Sequence, residues 1–267
     1  MFYIYEPLSR GKTCTQVVQL QRSLPTWVSS ELLVADGAFG EKTEQAVRAY
    51  QSAMGLTVDG VVGEATASAL GLWVELVEGF DISHWNTILW DSVPQKIKFV
   101  EVKATEGATY VDPSFYDSVQ SARDLGIQAG AYHFTKFNNP PLREAANFLE
   151  AAHKARVDSV TLDLEYRVSE LTSSEIESWV MTFMRSCEAF FDPSNIRIYT
   201  SRNYLHEKGL QSAAPFARYK LWAADWNNQP LALPWKSWDT WQYTNAGAVD
   251  WATAPIDLDV RVEHGRL

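Results

Sequence analysis

The chain has 267 residues, a net charge of −10 and a hydrophobic fraction of 46%, enough for one large globular domain or two unequal ones. The acidic balance holds in both parts, with five Lys/Arg against eight Asp/Glu in residues 1–75 and eighteen against twenty-five in 76–267. With no basic run, the sequence argues against nucleic acid or an anionic membrane surface as partner. No apolar stretch has the length to cross a bilayer, so no membrane insertion is expected.

The two cysteines, Cys14 and Cys187, lie far apart without metal-ligand spacing, so neither a disulfide framework nor a metal site is expected. The stretch Met1–Leu8 lacks the charged start, apolar stretch and small-residue site of a signal peptide. The expectation is a protein made in the cytoplasm that reaches any outside target by another route.

The first elements come from an internal repeat. Asp36 opens DGAFGEKTEQAV and Asp59 opens DGVVGEATASAL, 23 residues apart. Each Asp-Gly predicts a tight turn, because Gly accepts positive φ without steric cost. The second Gly ends the turn, and the acidic and Thr residues are expected to open a helix. A helix over Thr15–Leu24 carries Val17, Val18, Leu20 and Leu24 on one side, and another over Thr43–Met54 carries Ala46, Val47 and Tyr50. With a third helix after the second turn, the pattern predicts a small three-helix bundle over residues 1–75.

This stretch resembles the peptidoglycan-binding-domain type 1 family. The resemblance rests on Val17, Leu20, Gln21 and Leu24, then Asp36-Gly37, Phe39-Gly40, Thr43, Ala46-Val47 and Tyr50-Gln51. It continues through Leu56, Val58-Asp59-Gly60, Val62-Gly63, Thr66 and Leu70. It implies bacterial peptidoglycan as partner, and the turns Asp36–Phe39 and Asp59–Val61 are the expected contacts. A bundle that only scaffolds is the competing reading.

From Gly79 the pattern changes. β-rich runs at Gly79–Ile82, Phe99–Ala104, Gln128–Phe134, Val160–Glu165 and Ile196–Thr200 alternate with helical stretches at Pro113–Leu125, Leu142–Arg156 and Ser173–Phe190. After a short helix near Arg202–Lys208, three strands follow at Lys220–Ala224, Thr240–Thr244 and Ile256–Val260 with only loops between them. Five βα units and three strands predict an α/β fold, a (β/α)5(β)3 barrel over residues 76–267.

Four carboxylates fall at expected strand ends: Asp81, Asp163, Glu165 and Asp257. Strand side chains alternate, so Asp163 and Glu165 are expected on one face, with Cβ atoms roughly 6.5–7 Å apart. Mutual repulsion should raise the proton affinity of one of them, and a protonated carboxyl beside an ionised one suits glycosidic bond cleavage. An isolated D-x-E also ends strands with no chemistry attached, so the pair counts only together with the other strand ends.

Those other strand ends carry a second resemblance, to the family 25 glycoside hydrolases, muramidases of the Chalaropsis lysozyme type. The similar pieces run in order: Gly79-Phe80-Asp81-Ile82-Ser83-His84-Trp85, Lys103-Ala104-Thr105-Glu106-Gly107 and Ala131-Tyr132-His133-Phe134. They continue with Leu162-Asp163-Leu164-Glu165, Ile198-Tyr199-Thr200, Leu221-Trp222-Ala223 with Asp225-Trp226, Trp241-Gln242-Tyr243-Thr244 and Asp257-Leu258-Asp259. The resemblance implies a hydrolase of the β-1,4 bond between N-acetylmuramic acid and N-acetylglucosamine, working as a monomer without cofactor or metal. Glu165 is implied as general acid, with Asp163, Asp81 and Asp257 as the other catalytic carboxylates. The last piece reads D-L-D where D-x-N is more usual, so Asp259 adds a carboxylate.

Tyr132, Tyr199, Trp222, Trp226 and Gln242 are the expected sugar contacts, with core packing as the competing reading for each. Glu106 either bonds sugar hydroxyls or fixes its loop. The roughly 6.5–7 Å spacing is wide for a carboxylate nucleophile, which needs about 5–5.5 Å, and favours retention assisted by the substrate's own acetamido group. A chitinase-type barrel is the enzymatic rival, but its D-x-x-D-x-D-x-E signature meets Thr161 where an aspartate belongs. The remaining readings are a non-catalytic glycan binder and an autolysin or interbacterial effector. The leading expectation is a phage endolysin, released to the wall through a holin pore.

Overall fold

The computed structural model describes residue 4 and residues 6–28, 33–227 and 233–263. The start of the chain, on which the expectation about targeting rests, lies partly outside the described residues. Among the described residues no helix is long and apolar enough to cross a membrane. The chain divides into two compact units, one running to Leu76 and the other spanning Val77–Val262.

In the first unit, three helices, α1 (Thr15–Ser23), α2 (Glu41–Ala53) and α3 (Glu64–Ala69), close over a core that includes Leu8, Val17, Leu20, Phe39, Val47, Tyr50, Val62 and Leu72. The sequence repeat is a structural repeat. Gly37 and Gly60 take φ of 81° and 72°, while Gly40 and Gly63 stand as extended N-caps of α2 and α3.

A buried glutamine clasps each turn. Gln21 Nε2 reaches Asp36 Oδ1 at 2.9 Å, the Ala38 carbonyl at 3.0 Å and Thr43 Oγ1 at 3.1 Å, while its Oε1 accepts from Gly37 N at 3.0 Å. Gln51 repeats the set on Asp59, Val61, Thr66 and Gly60 at 2.8, 2.9, 3.1 and 2.9 Å. Thr43 therefore lies inside α2 as a clasp partner and does not open the helix. Each aspartate is tied into its own turn through Oδ1.

The second unit is built on nine strands: β1 (Glu75–Ile82), β2 (Ile97–Glu106), β3 (Tyr110–Val111), β4 (Gln128–Phe134), β5 (Ser159–Asp163), β6 (Ile196–Thr200), β7 (Lys220–Ala224), β8 (Thr240–Gly247) and β9 (Ile256–Glu263). Eight close a barrel in the order β1-β2-β4-β5-β6-β7-β8-β9, since β1 pairs with both β2 and β9, and β3 only hairpins onto β2. Neighbours run parallel from β1 to β8, and β9 runs antiparallel to β8. The helices α4 (Phe115–Asp124), α5 (Pro141–Ala155), α6 (Ser173–Cys187) and α7 (Arg202–Glu207) cover β2, β4, β5 and β6, while the crossover after β1 holds only a 3₁₀ turn, Trp90–Ser92.

Buried on both faces, β5 and β6 have no exposed residue, which is why they read as continuous apolar runs broken by inward polar side chains. Below the mouth those inward side chains are charged. Glu101 pairs with Arg261 and with Arg197, at 3.8 Å, and Arg197 Nε donates to Asp239 at 2.6 Å. Gly130 makes room for this network, since a Cβ there would collide with the Glu101 carboxyl. Both cysteines are free, and burial pushes the Cys187 thiol up to about 12, so it stays unreactive.

Candidate active site

At the mouth of the barrel, where the parallel strands end, a small cavity of about 80 Å³ is lined by Asp81, Tyr132, Asp163, Glu165, Tyr199, Trp222, Gln242 and Asp257. A larger cleft of about 390 Å³ adjoins it, lined by Glu165 and Tyr199 again with Ser201, Arg202, Asn203, Asp225, Trp226 and Asn227 among others. A larger apolar groove between α5 and α6 has no converging acids.

The backbone positions the acids in three ways. Asp81 and Asp163 stand at the ends of β1 and β5, buried and facing inward. The strand expected to run to Glu165 stops at Asp163. Pairing persists one residue further, as Leu164 N donates to the Tyr199 carbonyl at 2.8 Å and Thr200 Oγ1 donates to the Leu164 carbonyl at 2.8 Å. Glu165 thus starts the loop to α6 and is exposed, while Asp163 is buried, so the two are not equivalent neighbours on one strand face.

Asp257 corrects a second expectation. It lies at the beginning of β9, and reaches the mouth because β9 is antiparallel. The link from β8 is too short for a crossover, so it reverses the chain.

Gln242 joins the site together. Its Nε2 donates to Asp81 Oδ2 at 2.7 Å, and its Oε1 accepts from Tyr199 OH at 3.1 Å and Trp226 Nε1 at 3.3 Å. Trp222 is buried, packed edge-on to Tyr199 at 4.8 Å and Tyr132 at 6.3 Å, with Nε1 donating to Asp259 Oδ1 at 2.7 Å. Trp226, by contrast, is 53% exposed over the cleft. Glu106 lines neither space: Lys103 Nζ holds one oxygen at 2.7 Å and Lys136 the other. Its geometry is that of a loop fixture.

Every acid of the mouth has its proton affinity raised, burial being the largest cause in each. Asp163 and Asp81 rise well above the usual carboxylate range, the former also through the Glu165 charge and the latter through Asp259 and Asp257. Glu165 rises too, with help from Asp257 and opposition from Lys103. Solvent at its exposed side chain damps that rise relative to the buried pair. The charge of Glu165 thus couples the titration of Asp163 to its own. Lys103, which the sequence reading passed over, is the cation facing the pair, and its place at the end of β2 in the Lys103–Gly107 run was the available signal. The cleft residues Ser201, Arg202, Asn203 and Asn227 carried no signal, since they come together only through loop geometry.

Among the described residues no group of His, Cys, Asp and Glu is arranged to hold a metal ion. Residues 15–70 match a putative peptidoglycan binding domain, and residues 80–250 match glycosyl hydrolases family 25. Lysozyme M1 of Streptomyces globisporus is 28% identical over 200 residues, 68% of this chain and 66% of that protein. An autolytic lysozyme of Clostridium acetobutylicum is 26% identical over 68% of this chain and 55% of its own length.

Among solved structures, the bacterial lysozyme from Streptomyces coelicolor is similar with a TM-score of 0.62 and 28% identity, covering 68% of this chain and 90% of that one. A family GH25 lysozyme from Aspergillus fumigatus, 24% identical with a TM-score of 0.61 over 70% and 93% of the two chains, shares the fold. An acid-lined barrel mouth, a match spanning most of the barrel and lysozyme relatives agree: the chain belongs to glycosyl hydrolases family 25 and is, at the level of that family, a lysozyme-type glycoside hydrolase.

Proposed function

We propose that the chain hydrolyses the β-1,4 bond from N-acetylmuramic acid to N-acetylglucosamine in peptidoglycan, with Glu165 as general acid. The observation that carries this is the position of Glu165, which with Tyr199 lines both the small cavity and the larger cleft beside it. A sugar in the cavity and its neighbour in the cleft would place the linking oxygen against Glu165. A raised proton affinity favours the protonated form of the acid, and burial by substrate would raise it further.

Asp163 sits deeper, and its buried Oδ1 has no hydrogen-bond partner. That atom is a ready acceptor for the acetamido N–H of the muramic acid, which orients the acetamido oxygen toward the anomeric carbon. Ring closure by that oxygen, followed by water, retains the anomeric configuration. Asp81 and Asp257 complete the acid cluster, Trp226 offers an exposed indole face for a sugar in the cleft, and Tyr132 and Tyr199 bound the cavity.

The first unit raises the local concentration of the enzyme on the insoluble wall without taking part in the chemistry. Its repeat holds no converging acid pair, since Asp36 and Asp59 each serve a separate turn. This pairing of a wall-binding module with a muramidase barrel fits release at host lysis, as a phage endolysin uses a holin, and co-expression with and without a holin tests that route by culture lysis.

Mass spectrometry of digested peptidoglycan tests the bond. New reducing ends on N-acetylmuramic acid are expected; ends on N-acetylglucosamine would overturn the assignment.

A further inference from the structure

Asp259 lies on β9, two residues further in than Asp257, and is completely buried. Its Oδ1 accepts from Trp222 Nε1 at 2.7 Å, and no donor reaches its Oδ2. Asp259 stands opposite Gln242 across the β8–β9 pairing, and Gln242 Nε2 donates to Asp81 Oδ2 on β1 at 2.7 Å, which brings the Asp81 carboxyl within hydrogen-bonding reach of Asp259 as well as of Asp257. Each carboxyl therefore has one oxygen satisfied by an N–H group, and the pair has a hydrogen bond left to make between them. Ionised carboxylates only accept, so two of them in a buried space repel unless one carries a proton.

We propose that Asp81 and Asp259 share a single proton in the resting protein, which makes Asp259 a positioning residue. It holds Asp81 and, through Gln242, the Tyr199 and Trp226 side of the cleft. This rests on the placement of Asp81 in the active site.

The groups around the pair support a shared proton. Gln242 on β8 and Trp222 on β7 are neutral donors that keep their contacts in either protonation state. Asp257 on β9, itself within hydrogen-bonding reach of Asp81, and Glu101 on β2 add negative charge near the pair, and Tyr243 on β8 lies in the field of Asp259 as a neutral phenol. Arg261, further along β9, opposes them, but its Nη2 is bound to Glu101 and its Nε to Thr240 Oγ1 at 3.0 Å. Burial, only partly offset by Trp222, Asp81 and Arg261, pushes Asp259 up to about 8. Asp259 keeps a proton from the range where a free aspartate ionises up to about that pH. Its contribution to stability is complete below the unfolded aspartate value and declines as pH rises toward about 8.

The test is thermal unfolding of the full chain across that range, for the wild type, Asp259→Asn, Asp259→Ala and Asp81→Asn. An asparagine supplies the N–H to Asp81 and the carbonyl oxygen to Trp222 without titrating. The Tm of Asp259→Asn should gain on the wild type by several degrees as pH rises from acid to about 8 and then level off. Asp81→Asn should show the same widening gap, since its amide then donates to an ionised Asp259. In activity, Asp259→Ala should lower kcat/KM about tenfold, from an orphaned Trp222 N–H and a loose Asp81, and Asp259→Asn should recover most of that loss. A pH-independent Tm difference in both asparagine variants overturns the shared proton. Unfolding reads the proton whether or not Glu165 cleaves the bond, so this result and the bond assignment stand or fall separately.

Discussion

Aspartates do opposite jobs in the two units. At the turns of the first unit, Asp36 and Asp59 are supplied with donors. Gln21 and the Ala38 N–H hold the first below its ordinary range, and the Val61 N–H and Gln51 hold the second there. At the barrel mouth Asp81, Asp163 and Asp259 are buried, the last two with an oxygen left without a donor, and the proton affinity of all three rises. An exposed carboxylate that accepts from two donors holds a turn; one that is buried and short of donors holds a proton. The first arrangement stabilises the fold, and the second costs stability in return for chemistry.

The largest way to sharpen that contrast is Glu165→Gln. The amide keeps size and polarity but has no proton to give, so turnover should fall about 10²–10⁴-fold. Turbidity loss of a wall suspension, with circular dichroism to verify the fold, checks this; near-normal lysis by folded protein would remove Glu165 from the acid role.

Breaking the other side of the comparison, Gln51→Ala takes away a buried amide serving four partners. It should cost the first unit about 2–4 kcal/mol, because the Gly60 N–H and the Val61 carbonyl lose their partner. The expected result is weaker binding to whole walls with unchanged cleavage of short soluble glycans. Equal losses on both substrates would contradict the separation of binding from chemistry.

Asp163→Asn should move stability the other way. It removes a buried ionisable group, so denaturant unfolding at neutral pH should show a gain of about 1–3 kcal/mol together with a large loss of activity. A destabilised variant would mean that the carboxylate is better satisfied than its partnerless Oδ1 indicates.

The subtlest difference is in pH dependence. Depressed values at Asp36 and Asp59 give the first unit stability that is present above the unfolded aspartate value and lost as acid protonates them. Raised values at the mouth give the barrel stability that is complete in acid and declines as pH rises through the folded values. Calorimetry across pH should therefore show two transitions shifting in opposite directions, and parallel shifts would refute the comparison.

Much of this was legible in the order of residues because it depends on local periodicity. The 23-residue repeat, the Asp-Gly turns and the apolar runs of β4, β6 and β7 are set by neighbours along the chain. Helix and strand periods, and the tolerance of Gly for positive φ, are properties of short segments. The strand-end acids Asp81 and Asp163 could be picked out for the same reason, since a carboxylate closing a buried strand is visible as a break in pattern.

Tertiary structure decided what each polar group meets. Gln21 and Gln51 look like ordinary helix residues until the turn folds back onto them. Asp257 reaches the mouth only because β9 reverses direction, and Glu165 leaves the strand only because β6 holds Leu164 and no residue beyond it. Glu101, Arg197 and Arg261 come from three strands to form one ion network. Whether Asp259 faces a donor or another carboxylate depends on a contact between β9 and β1, about 180 residues apart in sequence. Proton affinity follows burial and the sign of nearby charge, and both exist only once the barrel has closed.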